Sequence, residues 1–326
     1  MEQETGQAQL VSLDDPTTPI SIISSTIGSQ PEQNPATAYI ISLNSKKSRQ
    51  TMGSFLNRVA NIIGFDSLDD CPWASLRRHH VQAIKDRLIK RELAPSTINT
   101  YLAAIRGVAL EAWQIKLIDT ETYQHIKLVK SVRGSRLSKG RALEGVESQA
   151  LLNACSNDSS SKGRRDAAIF AVLLGCGLRR SELVSLNREH ISWTKGTIKV
   201  LGKGNKERLS YMPDGTITYL ENWVNNVRGD SRGPLFTRIR RHDFFTINRL
   251  SDQAIYHILE VRRIETGLDD FSPHDLRRTF ASALLDNGED LITVRDAMGH
   301  ESITTTQVYD KRGDERLRKA SKGLTI

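Results

Sequence analysis

The chain has 326 residues, 38% of them apolar, which is enough for two domains that each close a core. Its 46 Lys and Arg against 38 Asp and Glu leave a formal charge of +8, which suits a polyanionic partner; charge alone fits DNA, RNA or an anionic membrane surface. The longest apolar run, Ala167 to Leu178, is too short to span a bilayer, the acidic N-terminus lacks a secretory pattern, and Cys71, Cys155 and Cys176 fall in no zinc-binding spacing, so a soluble cytoplasmic protein in a reducing compartment is expected.

Residues 1–44 carry Glu2, Glu4, Asp14, Asp15 and Glu32 but no Lys or Arg, and removing that −5 from the total leaves the remainder at +13. Rich in Ser, Thr, Gln and Pro and without a sustained helical period, this segment reads as a disordered acidic extension. From residue 45 to 132 the pattern predicts a small helical domain with helices over Ser48 to Ile63, Trp73 to Glu92, Ser96 to Trp113 and Thr120 to Val132. Ser96, after Pro95, is the expected cap of the third helix, whose apolar stripe is Ile98, Leu102, Ile105 and Val108/Ala109; Asn99, Arg106 and Lys116 stand off that stripe. Arg77, Arg78, His79 and His80 make a solvated basic face, and Arg77 and Arg106 are candidate DNA contacts. Residues 133–141 carry Arg133, Arg136, Lys139 and Arg141 with no apolar period, and form a basic linker that either follows a phosphate backbone or is simply solvated.

A second domain is expected over 142–326, mainly α with one small antiparallel sheet. Helices are predicted over Glu147 to Cys155, over Arg165 to Leu174 and, after the Gly175–Gly177 break, up to Leu186. Strands are predicted over Ile191 to Trp193, Thr197 to Leu201 and Arg208 to Met212, the last two joined by a turn at Gly202 to Asn205. Helices follow over Ser251 to Ile264, Pro273 to Asp286 and Leu291 to Met298, with Gly288 and Gly299 as stops.

Three strings in this half carry polar residues at pointed positions. GCGLRRSEL, residues 175–183, delivers Arg179 and Arg180 from a glycine break beside the most apolar helix, and a planar guanidinium is suited to two phosphate oxygens; the bland alternative is a surface pair with Glu182. VLGKGNKERL, residues 200–209, puts Lys203 and Lys206 on a hairpin tip, and spacing does not choose between them. The run from Pro273 to Asp310 opens a helix with His274 and Arg277 three apart on one face, able to grip one small anion, then carries His300 after a glycine stop and Tyr309 nine residues later.

Together, GLRRSEL, GKGNKER, HDLRRTFAS and GHESITTTQVY resemble, in order and spacing, the boxes of the tyrosine recombinase family, also called phage integrases, from roughly Lys46 to the end. The resemblance implies a two-domain C-shaped clamp on double-stranded DNA, with a helical core-binding domain and a catalytic domain. It implies as catalytic residues Arg179, Lys203, His274, Arg277, His300 and the nucleophile Tyr309, with Glu182 in support. Arg278 departs from the family pattern, where many members have histidine, with no loss of chemistry expected.

The implied reaction transfers a DNA phosphoryl group to Tyr309 through a 3′-phosphotyrosyl ester. Arg179, Arg277 and His300 act as preorganised cations on the non-bridging oxygens, His274 takes the phenolic proton, and Lys203 protonates the leaving 5′-hydroxyl. Because the ester conserves the bond energy, no ATP, metal or other cofactor is expected, and the chain has no P-loop. A homotetramer on two duplexes is implied, with the basic tail after Tyr309 docking on a neighbour or fraying, and with accessory DNA-bending proteins as further partners in a nucleoid-associated setting. A type IB topoisomerase-like relaxing enzyme and a catalytically inactive DNA-binding regulator are the alternatives; the second is disfavoured because each expected catalytic position is filled.

Overall fold

In the computed structural model, residues 34–134, 140–202, 206–307 and 321 are described. They belong to two compact units that divide between Leu137 and Ser138, inside the stretch expected to be a linker. Among the described residues no helix is long and apolar enough to cross a membrane.

The first unit holds α1 (Pro35–Ser42), α2 (Lys46–Ile62), a 3₁₀ turn (Trp73–Ser75), α3 (Arg78–Lys90), α4 (Pro95–Gln114) and α5 (Thr120–Lys127). α4 is the central rod: Ile98, Tyr101, Leu102, Ala104, Ile105, Val108, Ala109 and Ala112 are all buried, a stripe wider than expected because α1, α2, α3 and α5 each pack on it. It starts at Pro95, the N-cap being Ala94 with no side-chain bond, so Ser96 is not its cap. The predicted Trp73 to Glu92 helix is broken near Leu76. Trp73 turns its indole inward to donate to the Leu68 carbonyl (2.7 Å), and His80 Nδ1 accepts from the Arg77 backbone N–H (3.1 Å) to open a separate helix. The fourth predicted helix stops at Lys127, and the chain beyond it is tied back by side chains of α4. Asn99 exchanges two hydrogen bonds with the Val132 backbone (3.0 and 2.8 Å), and Arg106 donates to the Val129 carbonyl.

α1 corrects the expectation of disorder through residue 44. The Asn34 side chain accepts from the Ala36 N–H (2.9 Å) while its amide reaches the Leu68 and Asp69 carbonyls (3.2 Å each), Pro35 presets the first turn, and Ala36 is fully buried. Tyr39 then lies on α4 at Gly107, where an added Cβ would come within 2.2 Å of the ring. The polar composition of residues 1–44 as a whole hides this short ordered end; residues 1–33 lie outside the described residues. Gly107→Ala is expected to lower stability by about 1–2 kcal/mol, as overpacking a close contact does; an unchanged urea midpoint would show that the Tyr39 contact does not hold α1.

The second unit contains α6 (Gly145–Asn157), α7 (Ser161–Cys176), α8 (Arg180–Ser185), β1 (Ile191–Ser192), β2 (Thr197–Leu201), β3 (Glu207–Tyr211), α9 (Asp214–Trp223), β4 (Thr237–Ile239), β5 (Phe245–Arg249), α10 (Asp252–Thr266), α11 (Pro273–Asp286), α12 (Leu291–Met298) and α13 (Ile303–Gln307). β1, β2 and β3 form one antiparallel sheet with Val200 opposite Arg208, closed at its tip by Gly202 N–H on the Lys206 carbonyl (2.7 Å). The mainly α fold with small antiparallel sheets is as expected, with three additions among the described residues: α9, the β4–β5 hairpin and the short α13.

α7 is the buried axis, wrapped by α6, α9 and α11. It is bound to α10 through charge as well as apolar contact. Asp166, 4% exposed, accepts from Arg165 (Nε 3.0, Nη2 2.7 Å) and from Arg262 (Nε 3.1, Nη2 2.9 Å). A separate cluster of Ala281, Leu285, Val294 and Met298 clamps α11 to α12, fixing the distance between the residues that begin α11 and those that follow α12.

Candidate active site

The loop that follows α12 is where the predicted strings meet. Arg179, the N-cap of α8, donates from Nη2 to the Gly299 carbonyl (3.1 Å). Arg277, on the first turns of α11 and 2% exposed, donates from Nη2 to the Met298 carbonyl (2.6 Å) and from Nη1 to the Gly177 carbonyl (2.5 Å). His300 comes next in the chain, and its Nδ1 lies 2.9 Å from Oγ1 of Thr306, a fully buried residue of α13. Two guanidiniums separated by about a hundred residues are thus hung on adjacent main-chain carbonyls directly before the imidazole.

Beneath them sits Glu182, 3% exposed. It accepts from the Arg179 N–H (2.9 Å) and Nη1 (2.7 Å), and on the other side from Arg208 Nη1 (3.1 Å) and Nη2 (2.8 Å). Burial pushes this carboxyl up, but the Arg208 and Arg179 hydrogen bonds outweigh it and hold it below the usual carboxylate range. The bland reading of GLRRSEL is therefore half realised: Arg179 does pair with Glu182, but in the interior. Arg180 turns away, pairing with Asp252 (3.2 Å) and stacking 4.3 Å from the Tyr256 ring.

Both imidazoles are pushed below their ordinary value. His300 is pushed down to about 4, by burial first and then by Arg277, Arg179, His274 and Arg208. Without DNA the ring is thus neutral at neutral pH and can donate one hydrogen bond. His274 is also lowered, by burial and then by Arg278, Arg277 and Arg179, so it too is neutral and able to accept a proton. Nor do His274 and Arg277 share an open face: His274 is exposed while Arg277 is buried.

Other expected residues have other tasks. Arg278 reaches the Gly140 carbonyl and ties the entry of the second unit to α11. Arg141 makes a bidentate pair with Glu147 (2.6 and 2.7 Å), and Arg106 is turned inward onto Val129, so neither presents an open guanidinium for DNA. Arg77 folds its Nη1 onto the Ala74 (2.8 Å) and Leu76 (2.9 Å) carbonyls but stays at the surface, and Arg133 is exposed. Lys203, Tyr309, Arg136, Lys139 and the tail after Tyr309, apart from Ser321, lie outside the described residues. Lys206 pairs with Glu301 at the surface (2.9 Å). Missed from the sequence were Arg208 and Thr306; Arg208 is the last basic residue of GKGNKER, and that string was its only signal.

Residues 141–316 match the phage integrase family. The chain belongs to that family. Among relatives, this integrase is 32% identical to the tyrosine recombinase XerD of Listeria monocytogenes over 234 residues, 70% of this chain and 76% of the relative. It is 30% identical to the tyrosine recombinase XerC of Pediococcus pentosaceus over 281 residues, 84% and 91% of the two chains. In fold the integrase is similar to a lambda integrase solved as a dimer bound to a core site (TM-score 0.65, 14% identity, 87% of this chain and 95% of that one). It is similar also to XerH bound to a palindromic substrate in a post-cleavage complex (TM-score 0.61, 18% identity, 94% and 99%).

Proposed function

We propose that this integrase-family chain is a site-specific recombinase that cuts and rejoins double-stranded DNA through a phosphotyrosyl bond. The observation that carries the reading is the suspension of Arg179 and Arg277 from the carbonyls of Gly299 and Met298, next to His300. Guanidiniums fixed before substrate arrives have little reorganisation to undergo when charge develops on the non-bridging oxygens, and that is where electrostatic catalysis gains most.

Tyr309 attacks the scissile phosphorus; a bond forms to its phenolic oxygen and the bond to the 5′-oxygen breaks. Neutral His274 accepts the phenolic proton, and Lys203 supplies a proton to the departing 5′-hydroxyl. Neutral His300 donates a hydrogen bond to a non-bridging oxygen, with Thr306 orienting its ring. Religation runs the same steps backwards. The first unit contributes phosphate contacts from surface cations such as Arg77 and Arg133, and four protomers assemble on two duplexes with the segment after Tyr309 docking between neighbours.

The test is a supercoiled plasmid carrying zero, one or two copies of a duplex selected by this protein from a random pool. Deletion or inversion products with two copies are expected. Relaxation without exchange would replace the proposal with a topoisomerase-like activity, and binding alone would replace it with a regulator.

A further inference from the structure

Arg208 belongs to none of the roles above, yet it is placed to control two of them. It enters from the middle of β3, paired across the sheet with Val200, and its side chain is only 15% exposed. Both terminal nitrogens are committed to Glu182, the same carboxylate that holds the Arg179 backbone and side chain. The inner part of the same side chain lies against Gly299: a Cβ built on that residue would meet Arg208 Cδ at 2.9, Nε at 3.0 and Cζ at 3.2 Å. Gly299 is also the residue whose carbonyl holds Arg179 and whose peptide leads into His300.

We infer that Arg208 is a positioning residue for phosphoryl transfer, locking the Glu182 carboxylate with its terminal nitrogens and shaping the Gly299–His300 turn with the inner part of its side chain, so that Arg179 and His300 are presented together. This deepens the proposed function and rests on it. The physical reason for arginine is its planar fork: two parallel N–H bonds fix the carboxylate in direction as well as charge. A lysine would supply the charge without the fork. Glycine at 299 follows from the same contact, independently of its backbone angle (φ +64).

The experiment follows single-turnover formation of the covalent adduct by the full chain on nicked duplexes recovered from a random pool, across pH, with DNA affinity measured in parallel. Arg208→Met is expected to slow adduct formation about 30-fold while affinity stays within about threefold, because the lost contact serves the transition state rather than ground-state binding. His300 is faced by Arg277, Arg179 and His274 besides Arg208, so removing one cation raises its proton affinity, and the acid limb of the rate profile moves to higher pH. Arg208→Lys should restore the profile but only part of the rate. If Arg208→Met fails to fold, Gly299→Ala against Gly267→Ala replaces it: the two positions share nearly the same φ (+64 and +66), but only the first meets a neighbour.

Arg208→Met within threefold of the parent with an unmoved pH profile, or equal rates for the two alanine variants, overturns the inference. Arg179→Ala is run alongside. If it slows adduct formation well below the parent while Arg208→Met stays at the parent rate, only the Arg208 role falls; if Arg179→Ala itself forms the adduct at the parent rate, the proposed site falls and takes this inference with it.

Discussion

Tyr309→Phe is expected to form no covalent DNA adduct while binding DNA within about threefold of the parent chain. The substitution removes one oxygen and leaves the ring, so phosphate contacts made elsewhere by Lys and Arg persist. No second hydroxyl stands at the expected spacing from His300, and loss of the nucleophile in a covalent mechanism costs roughly 10⁴-fold or more. Arginine variants differ in kind: they raise the barrier but leave the route intact, so Arg179→Ala should give slow adduct, not none. Denaturing gel electrophoresis after incubation with selected nicked duplex reads both. An adduct from the Phe variant would move the nucleophile to another residue and undo the functional assignment.

Glu182→Ala is expected to lower folding stability by about 3–5 kcal/mol, the range seen when one member of a buried ion pair is removed and its partners remain. The carboxylate is nearly fully buried, and its loss leaves Arg179 and Arg208 to repel each other beside Arg277. Urea denaturation with two probes checks it; a change below about 1 kcal/mol, the scale of an exposed pair, would mean that solvent screens this site. The pH dependence follows in sign. Glu182 has its folded value below the ordinary one, so its contribution is complete above about pH 4.3 and disappears as pH falls through the lower folded value. His300 is a depressed base: the unfolded ring takes up a proton near 6.5 and the folded ring only near 4, so stability drops across that window as pH falls. A bound phosphodiester, being an anion among these cations, opposes that depression.

The chemistry of the second unit was legible because each box is short and contiguous. Arg179 and Glu182 share one turn, Pro273 opens the helix of His274 and Arg277, and a glycine stop precedes His300; local rules placed these residues, and the resemblance of the boxes in order supplied their roles. What joins the boxes left no local trace. The Arg277 bond to Gly177 and the Arg208 grip on Glu182 cross 100 and 26 residues, and neither has a period to detect. The same blindness placed Arg106 and Arg141 at a DNA surface: cationic side chains off the apolar stripe look solvated until a carbonyl or a carboxylate elsewhere claims them. α9 escaped notice because only Thr216, Leu220 and Trp223 of its ten residues are buried, too few for a stripe. α1 escaped because its anchors, Leu68, Asp69 and Gly107, come later in the chain.

The anchoring of Arg179 and Arg277 on main-chain oxygens has an evolutionary corollary. Carbonyl groups are common to all residue types, so position 298 can exchange one apolar side chain for another that fills the α11–α12 cluster without severing its hold on Arg277. Drift there is buffered so long as the turn keeps its path. Mutational tolerance should therefore be broad at 298 and narrow at its neighbour, where the Arg208 side chain leaves no room for another.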